Sequence, residues 1–417
     1  MDFSNYQTFQ TRFEDKYEWL ERVYPFALMV LEAELRNLLA GEDEIARRNI
    51  SRLTEHYFPI DLLLKQVSHR RSADNQIYLE MPGFESTRQD LAARFRQEGY
   101  SIFSDQRFFR TGANKVLHKM TTMGRAFPNA MKLAHRAGME ALLNDRAALR
   151  QLDSTIERNY RRVKKFLCTQ KIALFVATGD SKPFSRVIIK AANELRIPYI
   201  VMVHGYVCNP DLITIAPIRA DKLIVWSELQ QQLLQEVLPA RRDDIVTFGF
   251  PPRFSISGDI PPERRVLFAW EPLERQNLKE PHLKVLGPLA RACLRAGIAP
   301  VFRPHPKERW MQNLLDELKD LGFQIDSDDL GTALSRAGCV ISSNSTVLSE
   351  AAAAGKLACQ VAELATFDFE GARMVTVKDF DPKALLSEGI RESAIPPLDE
   401  QALYSEIRAA LPPRAGA

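Results

Sequence analysis

Short apolar runs alternate with helical segments along most of the chain, and this alternation restricts the folds it can adopt. The runs cover residues 76–80, 100–103, 171–180, 198–203, 223–227, 245–248, 265–270, 301–303, 323–325, 339–341, 356–361 and 373–377. Strands that alternate with helices form parallel βαβ units, in which all strands end at the same edge of the sheet. The sequence therefore predicts an α/β protein whose polar strand ends share an edge.

A stretch rich in proline, glycine and serine interrupts this alternation between Pro251 and Pro262. Such a composition is typical of a domain boundary, and the 417 residues exceed what one hydrophobic core usually holds. Apolar residues between Leu20 and Leu38 recur at spacings of three and four, which indicates helices. We therefore predict an N-terminal helical region (1–72) and two Rossmann-like domains (73–252 and 253–417) that face a central cleft.

Composition and charge exclude several classes of protein. A net charge of +3 is too small to indicate a nucleic-acid partner, and no apolar run approaches the ~20 residues of a membrane-spanning helix. The N-terminus lacks the apolar core of a signal peptide. The five cysteines are scattered, without a CxxC motif or the spacing of a metal site. We therefore expect reduced thiols, a cytoplasmic protein, and neither a metal nor another cofactor.

Two polar turns in the second half of the chain are candidates for an anion site. One apolar run ends in Arg303–Pro306, and another ends in Ser342–Thr346 and opens into an alanine-rich helix closed by Gly355. Backbone N–H groups at a helix start bind anions, and Ser345 or Thr346 can cap the helix. Because both turns leave the carboxyl edge of the predicted sheet, they indicate a phosphate site. A serine turn that only caps its helix is the alternative.

Residues 107–139 form a second unusual segment, because they include no acidic residue. Its basic residues are interleaved with aromatic side chains, leucine and methionine; they are Arg107, Arg110, Lys115, Lys119, Arg125, Lys132 and Arg136. This pattern favours an anionic partner, such as a lipid surface, a lipid-linked phosphate or an acidic glycan. The alternative is a solvated face on a core helix.

Four patches make the chain similar to the GT-B glycosyltransferases that build bacterial capsule, lipopolysaccharide and teichoic-acid polymers. They are His204-Gly205 after the run 198–203, Gly249-Phe250-Pro251, Arg303-Pro304-His305-Pro306, and Ser342 to Glu350 ahead of Gly355. The resemblance covers roughly residues 165–380. In the members with cytidine-nucleotide donors, a His-Pro motif and a serine-rich turn hold the donor phosphate. These members are the sialic acid and Kdo transferases and the CDP-glycerol glycerophosphotransferases.

The resemblance implies a site and a reaction. The expected donor-binding residues are Arg303, His305, Ser342, Ser343, Ser345, Thr346 and Glu350, with Glu350 at the donor ribose. The favoured reaction transfers Kdo or sialic acid from a CMP-sugar to a growing capsule or lipopolysaccharide glycan. Such an enzyme works in the cytoplasm, with the inner face of the membrane as a further expected partner through Lys115, Lys119 and Arg125. GT-B enzymes generally work without a bound metal.

Sugar transfer also requires a base for the acceptor hydroxyl. Asp180 and His204 follow two apolar runs and are the candidates, and we prefer Asp180 for a sugar acceptor. Glu271 follows the run 265–270, where it can orient the donor or act as a nucleophile in a retaining reaction. The alternative for each of the three is a polar residue that only ends its strand.

Other activities on the same architecture stay open. They are a CDP-glycerol-type glycerophosphotransferase, a UDP-sugar transferase, a UDP-sugar 2-epimerase, and a non-catalytic scaffold that binds a glycan or a partner subunit. An epimerase converts a free UDP-sugar without an acceptor. A scaffold keeps its function when Asp180, His204 and Glu271 are replaced.

Overall fold

The structure is a computed structural model, and it describes residues 18–28, 76–81, 83–103, 139–179, 183–203, 205, 207, 219–251, 263–273, 279–306, 308, 311–365, 368–388 and 395–411. Five residues singled out from the sequence lie outside this part of the chain: Asp180, His204, Lys115, Lys119 and Arg125. Their expected roles therefore stay predictions.

The chain divides into two compact units. Unit 1 consists of Met1–Val225, Gln230–Thr247 and Glu400–Ala417, and unit 2 of Trp226–Leu229 and Phe248–Asp399. The domain boundaries expected from the sequence stay predictions. Of the predicted N-terminal helical region, residues 18–23 are helical; Leu20 is buried, whereas Val23 is 58% exposed.

Unit 1 is built on a six-stranded sheet in which every neighbouring pair is parallel. Its strands are β1 (Gln76–Glu80), β2 (Ser101–Phe103), β3 (Ile172–Ala177), β4 (Tyr199–Met202), β5 (Lys222–Val225) and β6 (Ile245–Thr247). The strand order is β2-β1-β3-β4-β5-β6. The chain adds β2 on one side of β1 and then β3 on the other, so the order reverses between β1 and β3.

Aromatic side chains stack across the centre of this sheet. Tyr78, Phe175 and Tyr199 occupy paired positions on three adjacent strands. The ring centroids of Tyr78 and Phe175 lie 4.4 Å apart, and those of Phe175 and Tyr199 lie 4.7 Å apart. Such cross-strand pairs stabilise a sheet beyond the area that they bury. The stack therefore fixes the register of β1, β3 and β4.

The helices of the first 247 residues are α1 (Glu85–Gln97), α2 (Met139–Asn144), α3 (Arg146–Thr169), α4 (Pro183–Glu194), α5 (Glu228–Val237) and a 3-10 helix (Pro239–Asp244). The sequence analysis did not identify α3, although it is 24 residues long. Asp145 caps its start by accepting two backbone N–H groups. The segment 18–28 packs against α3, where Phe26 donates its N–H to Asp153 and lies 4.9 Å from the ring of Tyr160.

Unit 2 has a second six-stranded sheet, again parallel throughout. Its strands are β7 (Arg265–Ala269), β8 (Ala299–Arg303), β9 (Gln324–Ile325), β10 (Cys339–Ser342), β11 (Leu357–Val361) and β12 (Ala372–Val375). The order is β12-β11-β10-β7-β8-β9. Here the chain adds β8 and β9 on one side of β7 and then continues with β10 on the other side. The order therefore reverses between β7 and β10.

The helices of unit 2 are α6 (Lys279–Arg295), α7 (Gln312–Asp320), α8 (Leu330–Arg336), α9 (Val347–Ala353) and α10 (Pro382–Ser387). The central strands are buried on both faces, and their side chains form one core with those of α6 and α7. Each of the twelve strands overlaps an apolar run of the sequence, which confirms the predicted α/β class. No described helix is both long and apolar enough to cross a membrane.

The stretch after β6 pairs with the stretch ahead of the last helix, α11 (Glu400–Ala409). Phe250 donates its N–H to the carbonyl of Pro396 at 2.9 Å, and Asp399 donates to that of Phe248 at 2.7 Å. Gly249 has a φ of +90°, and a Cβ at this position would lie 2.2 Å from the carbonyl oxygen of Pro397. This pairing therefore requires glycine at position 249.

The last helix, α11, packs against α1. Tyr404 donates its hydroxyl to Glu98, and Arg408 donates from Nε to the same carboxylate at 2.6 Å. The rings of Tyr404 and Phe95 lie 4.9 Å apart. These contacts are why the chain returns to unit 1 at its C-terminal end.

Candidate functional site

The strand order of unit 2 brings two of the predicted turns together. Glu271 follows β7 by two residues, and Ser343 and Asn344 follow β10 directly. Because β7 and β10 are parallel neighbours, these residues meet at the carboxyl edge although Glu271 and Ser343 are 72 positions apart. They also meet where the strand order reverses, which is where open α/β sheets bind their ligands.

The carboxylate of Glu271 is held by the turn after β10. Ser343 donates its hydroxyl to Oε1 of Glu271, and the N–H of Asn344 lies 3.5 Å from Oε2. The Glu271 side chain is 15% exposed, so one part of it still reaches solvent. The turn therefore already holds an anionic group with a hydroxyl and a backbone N–H, which are also the donors that a phosphate oxygen requires.

The turn itself is fixed by side-chain amides. Asn344 donates from Nδ2 to the carbonyl of Leu364 at 2.8 Å, and Gln360 donates from Nε2 to the carbonyl of Ser343 at 2.8 Å. Gln360 in turn accepts the N–H of Phe369 at 3.1 Å. These bonds tie the β10 turn to the strand and loop that follow it, so the Ser343 hydroxyl has a fixed position.

His282 lies beside Glu271, and the sequence analysis did not select it. It is in the first turns of α6 and is 3% exposed. Its Nδ1 accepts the indole N–H of Trp270 at 2.5 Å and lies 3.9 Å from Oε1 of Glu271. Because Nδ1 is an acceptor, the neutral ring carries its proton on Nε2.

Burial decides the charge of His282. Desolvation lowers the pKa of His282 below its ordinary value, and the negative charge of Glu271 opposes this effect without overcoming it. The site therefore combines a partly exposed carboxylate with a neutral imidazole. Carboxylate and imidazole are the groups that general acid–base chemistry most often uses.

Arg303 has structural partners in this site. It ends β8, is buried, and donates from Nη1 to the carboxylate of Asp326 and to the carbonyl of Asp328, the latter at 2.7 Å. Asp326 directly follows β9 and is also buried. The charge of Arg303 is therefore matched by Asp326, and the pair holds the loop after β9. Its expected role as a donor ligand stays a prediction.

The other expected donor ligands lie on the same edge of unit 2. His305 is half-buried two residues after β8, and its carbonyl accepts the N–H of Glu308 at 2.8 Å. Ser342 is fully buried, and its hydroxyl has no hydrogen-bond partner among the described residues. Glu350 is buried within α9. These positions agree with a common edge and leave the donor-binding roles as predictions.

Only one of the two candidate capping residues accepts a hydrogen bond from the start of α9. Ser345 accepts the N–H of Val347 on its hydroxyl oxygen at 3.4 Å. Thr346 has helical backbone angles, and its side chain accepts no bond from the helix. Ser345 therefore caps α9 and Thr346 does not.

No cluster of three or more histidine, cysteine, aspartate or glutamate side chains that could hold a metal occurs among the described residues. A comparison with protein-family models finds no match, and a comparison with curated proteins finds none either.

Several solved structures resemble the chain. The UDP-GlcNAc 2-epimerase of Methanocaldococcus jannaschii matches with a TM-score of 0.50 and 12% sequence identity, over 81% of this chain and 99% of that one. The UDP-GlcNAc 2-epimerase of Neisseria meningitidis bound to UDP-GlcNAc matches with a TM-score of 0.45 and 10% identity, over 80% and 99%. MurG of Acinetobacter baumannii matches with a TM-score of 0.42 and 12% identity, over 80% and 99%.

At such low identity the likeness concerns the fold. The first of these matches extends over nearly the whole of the other chain. The sialyl- and Kdo-transferase subgroup expected from the motifs stays a prediction, as does the CMP-sugar donor. The chain has the two-domain α/β fold of the GT-B type.

Proposed function

We propose that the protein is an enzyme that binds a nucleotide-sugar at the carboxyl ends of β7 and β10 and acts on it with Glu271. The observation that carries this proposal is the junction of Glu271, Ser343 and Asn344 at the point where the strand order reverses. Helices leave the two strands toward opposite faces at such a point, and a crevice opens between them.

The diphosphate of the nucleotide takes the donors that now hold Glu271. The Ser343 hydroxyl and the Asn344 N–H bind a carboxylate in the structure, and a phosphate oxygen is an acceptor of the same kind with more charge. Ser345, Thr346 and His305 are the further expected phosphate ligands, and Glu350 is the expected ribose ligand. When the diphosphate binds, it releases Glu271 from these two donors.

The first candidate reaction is inversion at C2 of the sugar in a UDP-N-acetylhexosamine. Its support is the name of the similar M. jannaschii enzyme and the location of Glu271 within unit 2. A reaction on the nucleotide-sugar alone needs a proton-transfer group next to the donor site, and Glu271 provides one. Asp180 and His204, selected from the sequence, stay candidate proton-transfer groups for the reaction.

The chemistry of inversion at carbon divides between two groups. A base removes the C2 proton as the C1–O bond to UDP breaks, and an acid returns a proton to the other face of C2 as UDP adds back to C1. Glu271 is the base in this scheme, because its carboxylate is partly exposed at the expected donor site, and the acid is Asp180 or His204. His282 is neutral with a proton on Nε2, and its buried ring, held by the indole of Trp270, packs beside the Glu271 carboxylate.

The second candidate is transfer of a sugar to a bacterial surface glycan. The four sequence patches favour it, above all Arg303-Pro304-His305-Pro306 together with the serine turn, and they favour a CMP-sugar donor. In this case Asp180 or His204 is the base, and residues 107–139 contact a lipid-linked acceptor. Charge reversal of Lys115, Lys119 and Arg125 then releases the protein from anionic vesicles at low salt, and a wild-type protein that ignores such vesicles rules out this contact.

A nucleotide screen followed by turnover without an acceptor separates the candidates. Thermal shifts with UDP, CMP, CDP and GDP identify the nucleotide that the protein binds. We expect UDP to raise the melting temperature of the protein most. The protein is then incubated with UDP-GlcNAc alone, and the anomeric proton signals are followed by NMR. New C2-epimer signals support the first candidate, whereas their absence together with CMP stabilisation supports the second.

A matched pair of variants tests the role of Glu271. Glu271→Gln keeps the shape of the side chain and removes the base, so turnover falls by about 10²–10⁴-fold. Glu280→Gln makes the same change at an exposed position of α6 and leaves turnover unchanged. Equal turnover in the two variants, or no stabilisation by any of the four nucleotides, contradicts the proposal.

A further inference from the structure

A cavity of about 490 Å³ lies within unit 1, and all of its walls come from that unit. It is open to solvent on one side and is lined by α4, by the segment 21–28, by the turn ahead of β5 and by the 3-10 helix ahead of β6. Small-molecule sites commonly have volumes of about 300–1,000 Å³. The cavity is therefore large enough for a metabolite, and the nucleotide-sugar proposal does not use it.

The cavity has a different position in the fold from the expected catalytic residues of unit 1. Arg186, Lys190 and Asn193 follow one another along a single face of α4 at spacings of four and three. Arg219 and Arg241 come shortly before β5 and β6, so they lie at the amino edge of the sheet. Asp180 and His204 are expected at the opposite, carboxyl edge.

The lining of the cavity is predominantly basic. Arg186, Lys190 and Arg219 face the carboxylates of Glu21 and Glu194, and the charge of a fourth cation, Arg241, is matched by Asp244 at 2.6 Å. Arg186 is 2% exposed, and a guanidinium stays protonated even when it is buried. Positive charge within walls of low dielectric constant concentrates the field and attracts anions.

One of the two carboxylates is already matched from outside the cavity. Glu194 accepts the ammonium of Lys164 at 2.8 Å and the hydroxyl of Tyr160. The bond from Lys164, followed by that from Tyr160, holds the pKa of Glu194 below its ordinary value. Glu194 therefore offsets little of the charge that a ligand in the cavity would meet.

We propose that this cavity binds a small hydroxylated anion that carries a phosphoryl group, such as a phosphorylated sugar. The planar guanidinium groups of Arg186 and Arg219 match the geometry of phosphate oxygens, and Lys190 adds a point charge. Glu21 and Asn193 bind the hydroxyl groups of the same ligand. This site is separate from the nucleotide-sugar site and does not depend on it.

Calorimetric titration with inorganic pyrophosphate tests the proposal, because it supplies the phosphoryl group without a sugar or a base. Lys190→Gln and Arg219→Gln should each weaken binding about tenfold or more, since each removes a charged hydrogen-bond donor. Lys165→Gln removes the same charge from an exposed position of α3 and should change nothing. Unchanged far-UV circular dichroism shows that the variants are folded.

Titrations with and without saturating UDP keep this site apart from the nucleotide site. We expect pyrophosphate to bind while UDP is present. If UDP abolishes all pyrophosphate binding, or if Lys190→Gln and Arg219→Gln bind like Lys165→Gln, the cavity proposal is wrong. If UDP itself does not bind, the nucleotide-sugar proposal fails and the result for the cavity still stands.

Competition identifies the source of the phosphoryl group. Displacement of pyrophosphate by glucose 6-phosphate supports a soluble phosphorylated sugar. Displacement by vesicles that contain phosphatidic acid supports a lipid headgroup with the same phosphate chemistry. Failure of both to compete contradicts a phosphorylated organic ligand.

Discussion

Replacement of Gly249 by alanine provides a sharp test of the pairing between the stretch after β6 and the stretch before α11. A side chain at φ +90° costs about 1–2 kcal/mol in backbone strain. The new Cβ would also lie 2.2 Å from the carbonyl oxygen of Pro397, so one of the two stretches must move. Movement breaks the backbone bonds from Phe250 and Asp399, each worth about 0.5–1.5 kcal/mol.

The expected loss for Gly249→Ala is therefore about 2–5 kcal/mol in the free energy of unfolding of unit 2. Gly297→Ala is the matched control, because Gly297 also has a positive φ, of +67°, and a Cβ there has no atom within 4 Å. This control should lose only the strain of about 1–2 kcal/mol. Gly297 also lies in unit 2, so both variants affect the same unit.

Urea unfolding gives the two stabilities, and hydrogen exchange with mass spectrometry gives the location of the change. The amides of Phe250 and Asp399 should be protected in the wild type and in Gly297→Ala, and should exchange rapidly in Gly249→Ala. Equal losses of stability in both variants, with the two amides still protected in Gly249→Ala, would refute the reasoning.

Three further predictions concern single side chains. Burial lowers the pKa of His282, so the unfolded state binds more protons than the folded state once the pH falls below about 6.5. The free energy of unfolding, measured with urea, should therefore decline below that pH, and it should decline less in His282→Gln. Burial raises the pKa of Cys293 to about 12, whereas Cys168 is exposed. Iodoacetamide at neutral pH should therefore modify Cys168 and leave Cys293 unmodified, as peptide mapping can show. Equal labelling of the two cysteines would contradict this prediction. Asp180→Asn should keep donor binding and lower turnover by about 10²–10⁴-fold, whereas His305→Ala should lower kcat and weaken donor binding. Steady-state kinetics with the identified donor measure both effects. Full activity in both variants would contradict the roles predicted for Asp180 and His305.

The strands were predictable because each is a short apolar run with a polar end. The helix α3 has a different pattern, the periodicity of an amphipathic helix, on which the sequence analysis does not draw. Leu149, Leu152, Ile156, Tyr160 and Val163 recur at spacings of three and four, and all are buried. The periodic signal of an amphipathic helix is therefore present in this stretch of the sequence.

The site was predictable only in part, because local patterns do not determine strand order. Glu271 and Ser343 were both selected from their turns, but their contact depends on β10 lying next to β7. No local sequence pattern marks His282 as a site residue. It belongs to the site only because the fold places it against Trp270 and Glu271. Arg303 was selected for its charge, and its partner Asp326 follows a strand of only two residues.

The affinity for UDP tests the central claim most directly. Isothermal titration compares the wild type with Ser343→Ala plus Ser345→Ala, which removes two hydroxyl donors of the turn. Each lost bond to a charged group is worth about 1.5–3 kcal/mol, so affinity should fall about 100-fold or more. Ser387→Ala is the control, because it removes an exposed serine that donates to the carbonyl of Ala384 in the same unit. We expect wild-type affinity in Ser387→Ala and a large loss in the double variant; wild-type affinity in both, with circular dichroism unchanged, would contradict a phosphate site at the junction of β7 and β10.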